Sequence, residues 1–347
     1  MKILALDLGK YKTVGCEYER ESGQHRFRAT GTTPAALQQL VQEVKPDRVV
    51  IEVCNIAGWV CDLLRGMGVE VQVANTSDDA WRWRKVKKKN DRSDALKAAQ
   101  LSAVNQLREV HIPTIAIRQW RALIAFRQQL VRRRGRSKNH IRDLLLSEGQ
   151  VLPRGGKCWT QLGVARLEAL AKPLSACGLH ELWRGQLDIE LRQLRQVQQE
   201  ISAAEEKLEA IAASDQRVKL LRTIPGVGAR LAEAIVALLD RPERFGHARE
   251  VSAYIGMVPK ELDSGETVRR GRITKQGSRL LRSLLVEVAW AGLRYNPWVR
   301  ETYQRISGGK KSRKKIAIVA VGRRLLVRCW AMLRDGTIWR PPVVNAA

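Results

Sequence analysis

Four acidic residues stand at positions where a carboxylate needs a specific reason. Asp7 ends a short apolar run that predicts a β-strand, and Glu52 lies within a second predicted strand at residues 48–53. Asp91 and Asp94 are three residues apart at a predicted helix start, so they share one face of that helix. Four converging carboxylates repel one another unless divalent cations neutralise them, and Mg²⁺ and Mn²⁺ prefer such oxygen ligands. Two metals about 4 Å apart suit phosphodiester chemistry.

Each acid taken singly also has a structural explanation. An aspartate at a helix start is usually a cap, which would account for Asp91, and Asp7 before Gly9 could be a turn residue. Glu52 is harder to explain, because valines and an isoleucine surround it and no base nearby in sequence pairs with it. The set as a whole therefore favours a metal site.

The composition narrows the class of partner. The 347 residues include 62 Lys and Arg against 35 Asp and Glu, and the net charge of +27 predicts a polyanionic partner, most often nucleic acid. A hydrophobic content of 44% excludes a mostly disordered chain.

We expect a cytoplasmic protein with no membrane contact, because no apolar run reaches the ~18–20 residues of a spanning helix and Asp7 interrupts the N-terminal apolar stretch. The six cysteines form no CxxC pair, so we expect neither disulfides nor a zinc site.

Two basic segments are candidate phosphate contacts. The predicted contacts are Arg132, Arg133, Arg134, Arg136 and Lys138 in the first segment, and Lys310, Lys311, Arg313, Lys314 and Lys315 in the second. Such contacts are independent of base sequence and depend steeply on salt. A charge run is usually a solvated face, but here balancing acids are missing. The segment 81–84 (WRWR) could stack on bases, or one of its tryptophans could lie in the core.

The elements that would position the acids alternate in an α/β order. Strands are predicted at 2–7, 13–19 and 25–30, the last two forming a hairpin around 22–24. A helix from about 34, a strand at 48–53, a helix at 58–66, a strand at 69–73 and a helix at 91–107 follow. We therefore predict an α/β domain over 1–112 in which the strands of Asp7 and Glu52 are neighbours.

The remainder is predicted to be mainly helical. Within 113–214, a basic helix at 115–147 precedes a heptad pattern, formed by Leu187, Leu194, Ile201 and Leu208 with Val197, Ala204 and Ile211 offset by three. This pattern predicts a coiled coil or a long helical hairpin, with a single amphipathic helix as the alternative. Within 215–347, the turn 224–228 (IPGVG) leads into a helix at 231–239, either as a phosphate-binding, helix-hairpin-helix-like element or as a plain glycine-rich helix start.

Motifs at both ends of the chain resemble one known family. The N-terminal motifs are 7–9 (DLG), Glu52 and 89–95 (KNDRSDA), the last of which is similar to the family's K-x-D-x-x-D-A. The C-terminal motifs are 224–228 (IPGVG), 254–259 (YIGMVP), 263–265 (DSG), 271–277 (GRITKQG) and 280–282 (LLR). In this order they resemble the DEDD-type insertion-sequence transposases, which are bridge-RNA-guided recombinases related to the pilin-gene-inverting recombinases.

The resemblance implies a RuvC-like, RNase H-type N-terminal domain that binds Mg²⁺ or Mn²⁺ through Asp7, Glu52, Asp91 and Asp94. It implies that the C-terminal transposase domain supplies Ser264 as the nucleophile, with Arg269, Arg270, Arg272 and Lys275 stabilising charge on the phosphate under attack. From the residues alone, Ser264 is predicted to lie in a loop, where an exposed turn serine is the default. The resemblance also implies a structured guide RNA, double-stranded donor and target DNA, and a dimer or tetramer in which one protomer's carboxylates meet another's serine.

Two positions depart from the family pattern. The segment 53–59 (VCNIAGW) follows Glu52 where the family usually has Thr-Gly and an aromatic residue, and Glu266 stands where a second glycine is common. Neither departure removes a proposed ligand. We therefore expect a transposase or recombinase that forms a serine-linked DNA intermediate. The alternatives are a Holliday-junction nuclease that uses water and a non-catalytic basic protein that binds nucleic acid.

Overall fold

A computed structural model describes residues 1–75, 90–264 and 267–341, and of residues 261–264 and 267–270 it describes the backbone. The chain divides into two compact units, Met1–Arg118 and Gln119–Ala347. The three-part division at residues 112 and 214 stays a prediction. The proposed stacking segment 81–84 and Lys89 of the KNDRSDA motif lie outside the described residues.

The N-terminal unit is built on a mixed sheet, with five strands in its described part. They are β1 (Lys2–Leu8), β2 (Lys12–Glu19), β3 (His25–Gly31), β4 (Arg48–Glu52) and β5 (Glu70–Ala74). Their spatial order is β3-β2-β1-β4-β5. β2 pairs antiparallel with β1 and β3, whereas β4 pairs parallel with β1 and β5. The predicted hairpin and the predicted pairing of the first and fourth strands are confirmed.

Helices cover both faces of this sheet. They are α1 (Pro34–Val44), α2 (Ala57–Gly66) and α3 (Asp91–Ala103). Because side chains alternate along a strand, Leu4 and Leu6 of β1 join the core shared with α1 and α2. Ile3 and Ala5 of the same strand join the core shared with α3 on the opposite face. The alternation of strands and helices expected from the sequence therefore forms an α/β unit.

Two long helices begin the rest of the chain. They are α4 (Ile115–Ser147) and α6 (Leu182–Ser214), with the short α5 (Gln161–Leu170) between them. Both long helices have 33 residues, which is about 50 Å at 1.5 Å per residue. They run antiparallel, as three side-chain contacts show: Arg127 with Glu205 (2.9 Å), Arg134 with Gln198 (3.1 Å) and His140 with Glu190 (2.8 Å).

The predicted heptad positions face α4. Val197 and Ile201 of α6 pack with Leu130 of α4, and nearer the loop end Leu187 packs with Ile141. Buried apolar contacts of this kind stabilise the pair far more than the exposed ion pairs between the helices. The heptad pattern therefore corresponds to a long antiparallel helical hairpin.

The C-terminal part is a helical bundle with one small sheet in its described residues. Its helices are α7 (Gln216–Leu221), α8 (Ala229–Leu239), α9 (Ala248–Tyr254), α10 (Arg279–Tyr295), α11 (Pro297–Ser307) and α12 (Lys314–Asp335). α12 packs against α7, α9, α10 and α11. The sheet is the antiparallel pair β6 (Pro259–Ser264) and β7 (Thr267–Ile273). The predicted mainly helical character is confirmed.

The expected loop position of Ser264 is wrong. Ser264 is the last residue of β6, and its backbone pairs with Thr267 of β7. The β-branched residues of 267–273 favour an extended strand, and a strand needs a partner for its backbone N–H and C=O groups. The segment 259–264 supplies that partner.

Within the described ranges, no helix is both long and apolar enough to cross a lipid bilayer. All six cysteines are free thiols, and four of them are buried.

Candidate active site

Asp7 and Glu52 lie side by side at the carboxyl ends of two parallel strands. Leu6 of β1 pairs with Ile51 of β4, and the two acids are the next residue on each strand. Neighbouring strands are about 4.8 Å apart, so the two acids leave the sheet as neighbours. Both side chains are half-buried.

The two acids also share a face of the sheet. Asp7 follows Ile3 and Ala5 in the alternation of β1, and Glu52 follows Val50 in that of β4. Ile3, Ala5 and Val50 all belong to the core beneath α3. The acids therefore leave the sheet on the side that α3 covers.

Helix α3 begins at the residues that carry the other two acids. Its N-cap is Asn90, whose side chain accepts hydrogen bonds from the Ser93 amide (2.8 Å) and the Ser93 hydroxyl (2.9 Å). The explanation of Asp91 as the cap is therefore wrong, because Asn90 is the N-cap residue and its side chain accepts from the Ser93 amide. Asp91 is exposed, whereas Asp94 is only 7% exposed.

Helix α3 crosses the face on which the two strand acids leave the sheet. Near its end, the Ser102 hydroxyl donates to the Gln72 side chain of β5 (2.6 Å). Near its start, the Arg92 guanidinium lies over the Phe27 ring of β3, 5.7 Å from its centre. The helix therefore runs across the strands from β3 toward β5, and Asp94 in its first turn is buried.

This edge has the donor chemistry of a hard divalent cation, since carboxylate oxygens are the ligands that Mg²⁺ and Mn²⁺ prefer. In the part of the chain that the structure describes, no three His, Cys, Asp or Glu side chains are close enough together to hold one ion. Asp7, Glu52 and Asp94 each have an interaction partner. The fold thus places Asp7 and Glu52 side by side at one edge and Asp94 in the helix that covers their face, without closing the three acids into a ligand shell.

Gly9 fixes the turn that follows Asp7. A Cβ atom at this position would lie 2.4 Å from the backbone oxygen of Lys12, which is shorter than any ordinary contact between non-bonded carbon and oxygen atoms. Only glycine allows the chain to reverse this soon after β1. The DLG motif therefore couples the end of the strand to the tight turn into β2.

Ser264 lies in the C-terminal unit, at the end of the β6–β7 hairpin. In the backbone register, Arg269 is opposite Leu262 and Arg270 is opposite Glu261. Arg272 and Lys275 are exposed near the other end of β7. The predicted basic residues thus belong to the hairpin that carries Ser264 and to its base.

The predicted basic residues of α4 fall into two groups. Arg132, Arg133 and Arg136 are exposed. Lys138 instead packs over the Trp159 ring, 4.8 Å from its centre, and burial together with neighbouring arginines lowers the pKa of its ammonium group. Arg134 donates to the Gln198 side chain across the helical hairpin. Three of the five predicted phosphate contacts are therefore freely presented to solvent.

The second predicted basic segment is exposed along its whole length. Lys310, Lys311, Arg313, Lys314 and Lys315 all face solvent around the start of α12. Three further basic residues, Arg305 of α11 and Arg323 and Arg324 of α12, were not predicted from the sequence. Burial, then the charges of Arg305 and Arg323, lower the pKa of Arg324. The sequence does carry a signal for a basic surface here, because α12 has no acidic residue before Asp335.

The glycine-rich turn 224–228 leads into a helix, as predicted. It lies between α7 and α8, and Gly226 has a φ of +88°, a conformation that favours glycine. The Asn296 side chain donates to the Pro225 backbone oxygen (3.1 Å) and holds the turn against the bundle. Gly228 precedes α8 without a side-chain cap, so the first amides of that helix have no side-chain acceptor from the N-cap.

Comparison with known proteins matches both ends of the chain to transposases. Residues 4–148 match a DEDD-type IS110 family model described as a transposase. Residues 218–304 match the model of the transposase IS116/IS110/IS902 family. The two ranges together cover about two thirds of the chain.

Individual relatives agree with these matches. The transposase for insertion sequence element IS1111A of Coxiella burnetii is 29% identical over 310 residues, a match covering 86% of this chain and 81% of the relative. The transposase for insertion sequence element IS1328 of Yersinia enterocolitica is 23% identical over 343 residues, covering 97% and 98%. The pilin gene-inverting protein of Moraxella lacunata is 28% identical over 121 residues, covering 34% and 37%.

The chain is an enzyme that acts on DNA by transposition or recombination. Its α/β unit with acids at one sheet edge and its helical C-terminal part agree with these matches. The chain carries two IS110-family transposase domains, the DEDD-type one at residues 4–148 and the IS116/IS110/IS902-type one at residues 218–304.

Proposed function

We propose that this transposase cuts and rejoins DNA by metal-dependent phosphoryl transfer, with Ser264 as the nucleophile that becomes linked to DNA. The observation that supports this most is the sheet edge shared by Asp7 and Glu52, beneath the helix that carries Asp91 and Asp94, in the unit that matches a DEDD-type transposase model. Acids gathered in this way on a protein of net charge +27 suit a metal-bound phosphodiester.

Asp7, Glu52, Asp91 and Asp94 would hold Mg²⁺ or Mn²⁺. When bound, such ions activate the attacking hydroxyl and stabilise the leaving oxygen. The strand order, in which β2 is the antiparallel partner of β1 and β4 the parallel one, is consistent with an RNase H-like domain of the RuvC-like type. In that arrangement the edge with Asp7 and Glu52 is the reactive one.

Ser264 would attack the scissile phosphate. Its hydroxyl gives its proton to solvent water while its oxygen bonds to phosphorus. The bond from phosphorus to the leaving DNA oxygen breaks, and that oxygen takes up a proton, which leaves a free strand hydroxyl and a serine–DNA phosphodiester. Arg272 and Lys275, both exposed, would stabilise charge on the phosphate together with Arg269 and Arg270. A dimer or tetramer would let the carboxylates of one protomer meet the serine of another.

A structured guide RNA would select the donor and target DNA by base pairing, while the protein contacts the backbone. The exposed basic residues of α4 and of 310–315 support this division of roles, because their contacts carry no sequence information. The helical hairpin, as a coiled-coil linker, and the helix-hairpin-helix-like turn at 224–228 would add further contacts.

The test is to trap the covalent intermediate. The full-length protein, with the RNA that co-purifies with it, is incubated with Mg²⁺ and a plasmid carrying its element and flanking DNA, then denatured. We expect a protein–DNA adduct that is lost in Ser264→Ala and in Asp7→Asn, with nucleic-acid binding retained. Ser283→Ala, an exposed serine of α10, is the matched control.

The outcomes separate the alternatives. Adduct formation by Ser264→Ala contradicts the serine step. Metal-dependent cleavage without any adduct supports the junction nuclease that uses water. No cleavage of any substrate supports the non-catalytic nucleic-acid-binding protein. A single discrete RNA bound to the purified protein supports guidance, whereas a heterogeneous mixture contradicts it.

A further inference from the structure

The backbone segments 254–258, which precedes β6, and 274–277, which follows β7, approach each other closely at the base of the hairpin, and we call this close approach the crossing. A Cβ atom on Gly256 would lie 2.2 Å from the backbone oxygen of Gln276, and one on Gly277 would lie 2.1 Å from that of Tyr254. Both glycines have positive φ, at +66° and +72°. Only glycine fits at either position, so the crossing is fixed by backbone contact.

Hydrogen bonds join the two segments on the hairpin side of this crossing. The Lys275 amide donates to the Gly256 oxygen (3.0 Å), and the Thr274 amide donates to the Val258 oxygen (2.9 Å). β6 begins at Pro259 and β7 ends at Ile273, so these bonds extend the ladder to the crossing. The direction in which the hairpin leaves the bundle is therefore set here.

One side chain holds the crossing to the helical bundle. Arg282 Nη1 donates to the backbone oxygens of Ile255 (2.8 Å), Gln276 (2.7 Å) and Gly277 (3.2 Å). These oxygens come from both segments, so the guanidinium bridges them. Arg282 lies in the first turn of α10, which packs against α8 and α12. Hydrogen bonds from a charged donor are stronger than those between neutral groups.

We infer that Arg282 is a positioning residue of the DNA-joining reaction: it anchors the base of the β6–β7 hairpin so that Ser264 is presented in one fixed direction. This inference rests on the proposed function of Ser264. Attack on phosphorus requires alignment within about an ångström, so a loosened hairpin lowers the rate without lowering DNA affinity. The inference also gives one physical role to three sequence motifs, at 254–259, 271–277 and 280–282.

The test compares Arg282→Gln and Arg282→Lys with Arg279→Gln. Arg279 is an exposed arginine in the same turn of α10, so its substitution removes the same charge. Three quantities are measured on the full-length protein with its RNA: duplex DNA affinity, the rate of serine–DNA adduct formation at saturating DNA, and hydrogen exchange of the Thr274 and Lys275 amides.

For Arg282→Gln we expect DNA affinity within about twofold of wild type, adduct formation at least about tenfold slower, and faster exchange of both amides. Lysine should restore part of the rate, because its ammonium group still donates to carbonyl oxygens, but its flexible chain does not hold that group in place as the rigid, planar guanidinium does. Arg279→Gln should match wild type in rate and exchange. A thermal melt of each variant shows whether that variant is folded. Partial recovery of the rate in the lysine variant then indicates a positioning role for the side chain and not a failure to fold.

Two results overturn the inference and one overturns its premise. An unchanged adduct rate in Arg282→Gln, with Ser264→Ala inactive, overturns it alone. An equal loss of DNA affinity and rate also overturns it, because that pattern indicates a binding residue. Adduct formation by Ser264→Ala instead overturns the proposed function.

Discussion

Asp7 and Glu52 occupy adjacent positions at the carboxyl ends of two parallel strands, one residue beyond the Leu6–Ile51 pair. Two ionised carboxylates in such positions repel each other, and the repulsion lowers the stability of the folded chain. Under the proposed function, a divalent cation bound between the two acids would remove this repulsion.

The first prediction is that Mg²⁺ or Mn²⁺ stabilises the protein through these acids. A metal present at a hundred times its dissociation constant adds about 2.7 kcal/mol to the free energy of unfolding. We expect Asp7→Asn to reduce that gain sharply and, without metal, to leave stability unchanged or slightly raised. Thermal melts with and without Mg²⁺ measure both effects. Glu43→Gln, which removes an exposed acid paired with Arg28, is the control, and an equal metal shift in both variants contradicts the prediction.

The second prediction concerns the turn after the first acid. Gly9→Ala forces a Cβ atom against the Lys12 backbone oxygen, so we expect a loss of about 1–3 kcal/mol in the free energy of unfolding. Gly66→Ala is the matched control, because an added methyl group there would have no heavy atom within 4 Å and alanine favours a helix by up to about 1 kcal/mol. Urea unfolding distinguishes them. Equal stabilities would show that the turn can relax.

The order of the N-terminal elements could be predicted because each has its own local signal. The strand of Glu52 is a run of valine and isoleucine, and α3 is rich in alanine, leucine and glutamine. Their arrangement follows from general rules, since parallel strands joined by helices lie side by side. The convergence of Asp7 and Glu52 on one edge is a consequence of that topology.

Other features depend on contacts that the sequence does not encode locally. The position of Ser264 between a proline and a run of Arg and Lys predicts a loop, in which an exposed turn serine is the default. Pairing with 267–273 instead extends the strand to include it. Arg282 resembles any other helical arginine until Ile255 and Gln276 are brought beside it. Glu233 gives a weak signal in the sequence, as the one acid of a helix with a single basic residue, and burial decides its behaviour.

The third prediction is a pH dependence that originates in Glu233 of α8. Its side chain is 1% exposed, and one oxygen accepts from Arg230 Nη1 (2.8 Å). Burial raises the pKa of this carboxyl to about 7, with the charge of Glu209 also raising it and those of Arg230 and Arg127 lowering it. Because the folded state binds the proton more tightly than the unfolded state, stability falls as the pH rises from about 4.5 to about 7.

The loss amounts to about 3 kcal/mol once the pH is above 7. Glu233→Gln cannot ionise, so its stability relative to wild type should increase over the same range. Urea unfolding at pH 5, 6, 7 and 8 measures the difference, and Glu206→Gln, at an exposed position of α6, controls for the loss of one acid. A difference between wild type and Glu233→Gln that does not change with pH contradicts the assignment.

The last prediction uses the arginines that α11 and α12 bring together. Arg305 and Arg323 are close enough to Arg324 to lower its pKa, after the effect of burial. Like charges this close cost stability, whereas a DNA phosphate between them would be bound strongly. Arg324→Gln should therefore raise the melting temperature slightly at low salt while weakening duplex DNA binding. It should also reduce the slope of log affinity against log salt by about one unit per lost phosphate contact.

Arg334→Gln is the matched control for this experiment. Arg334 lies on the same helix and carries the same charge, but it is paired with Asp335 at 2.7 Å. Its substitution removes an attractive pair, so stability should stay equal or fall and the salt slope should stay closer to that of wild type. If both variants change the salt slope equally, α12 acts through net charge alone. A difference confined to Arg324→Gln indicates a phosphate contact at the place where α11 and α12 meet.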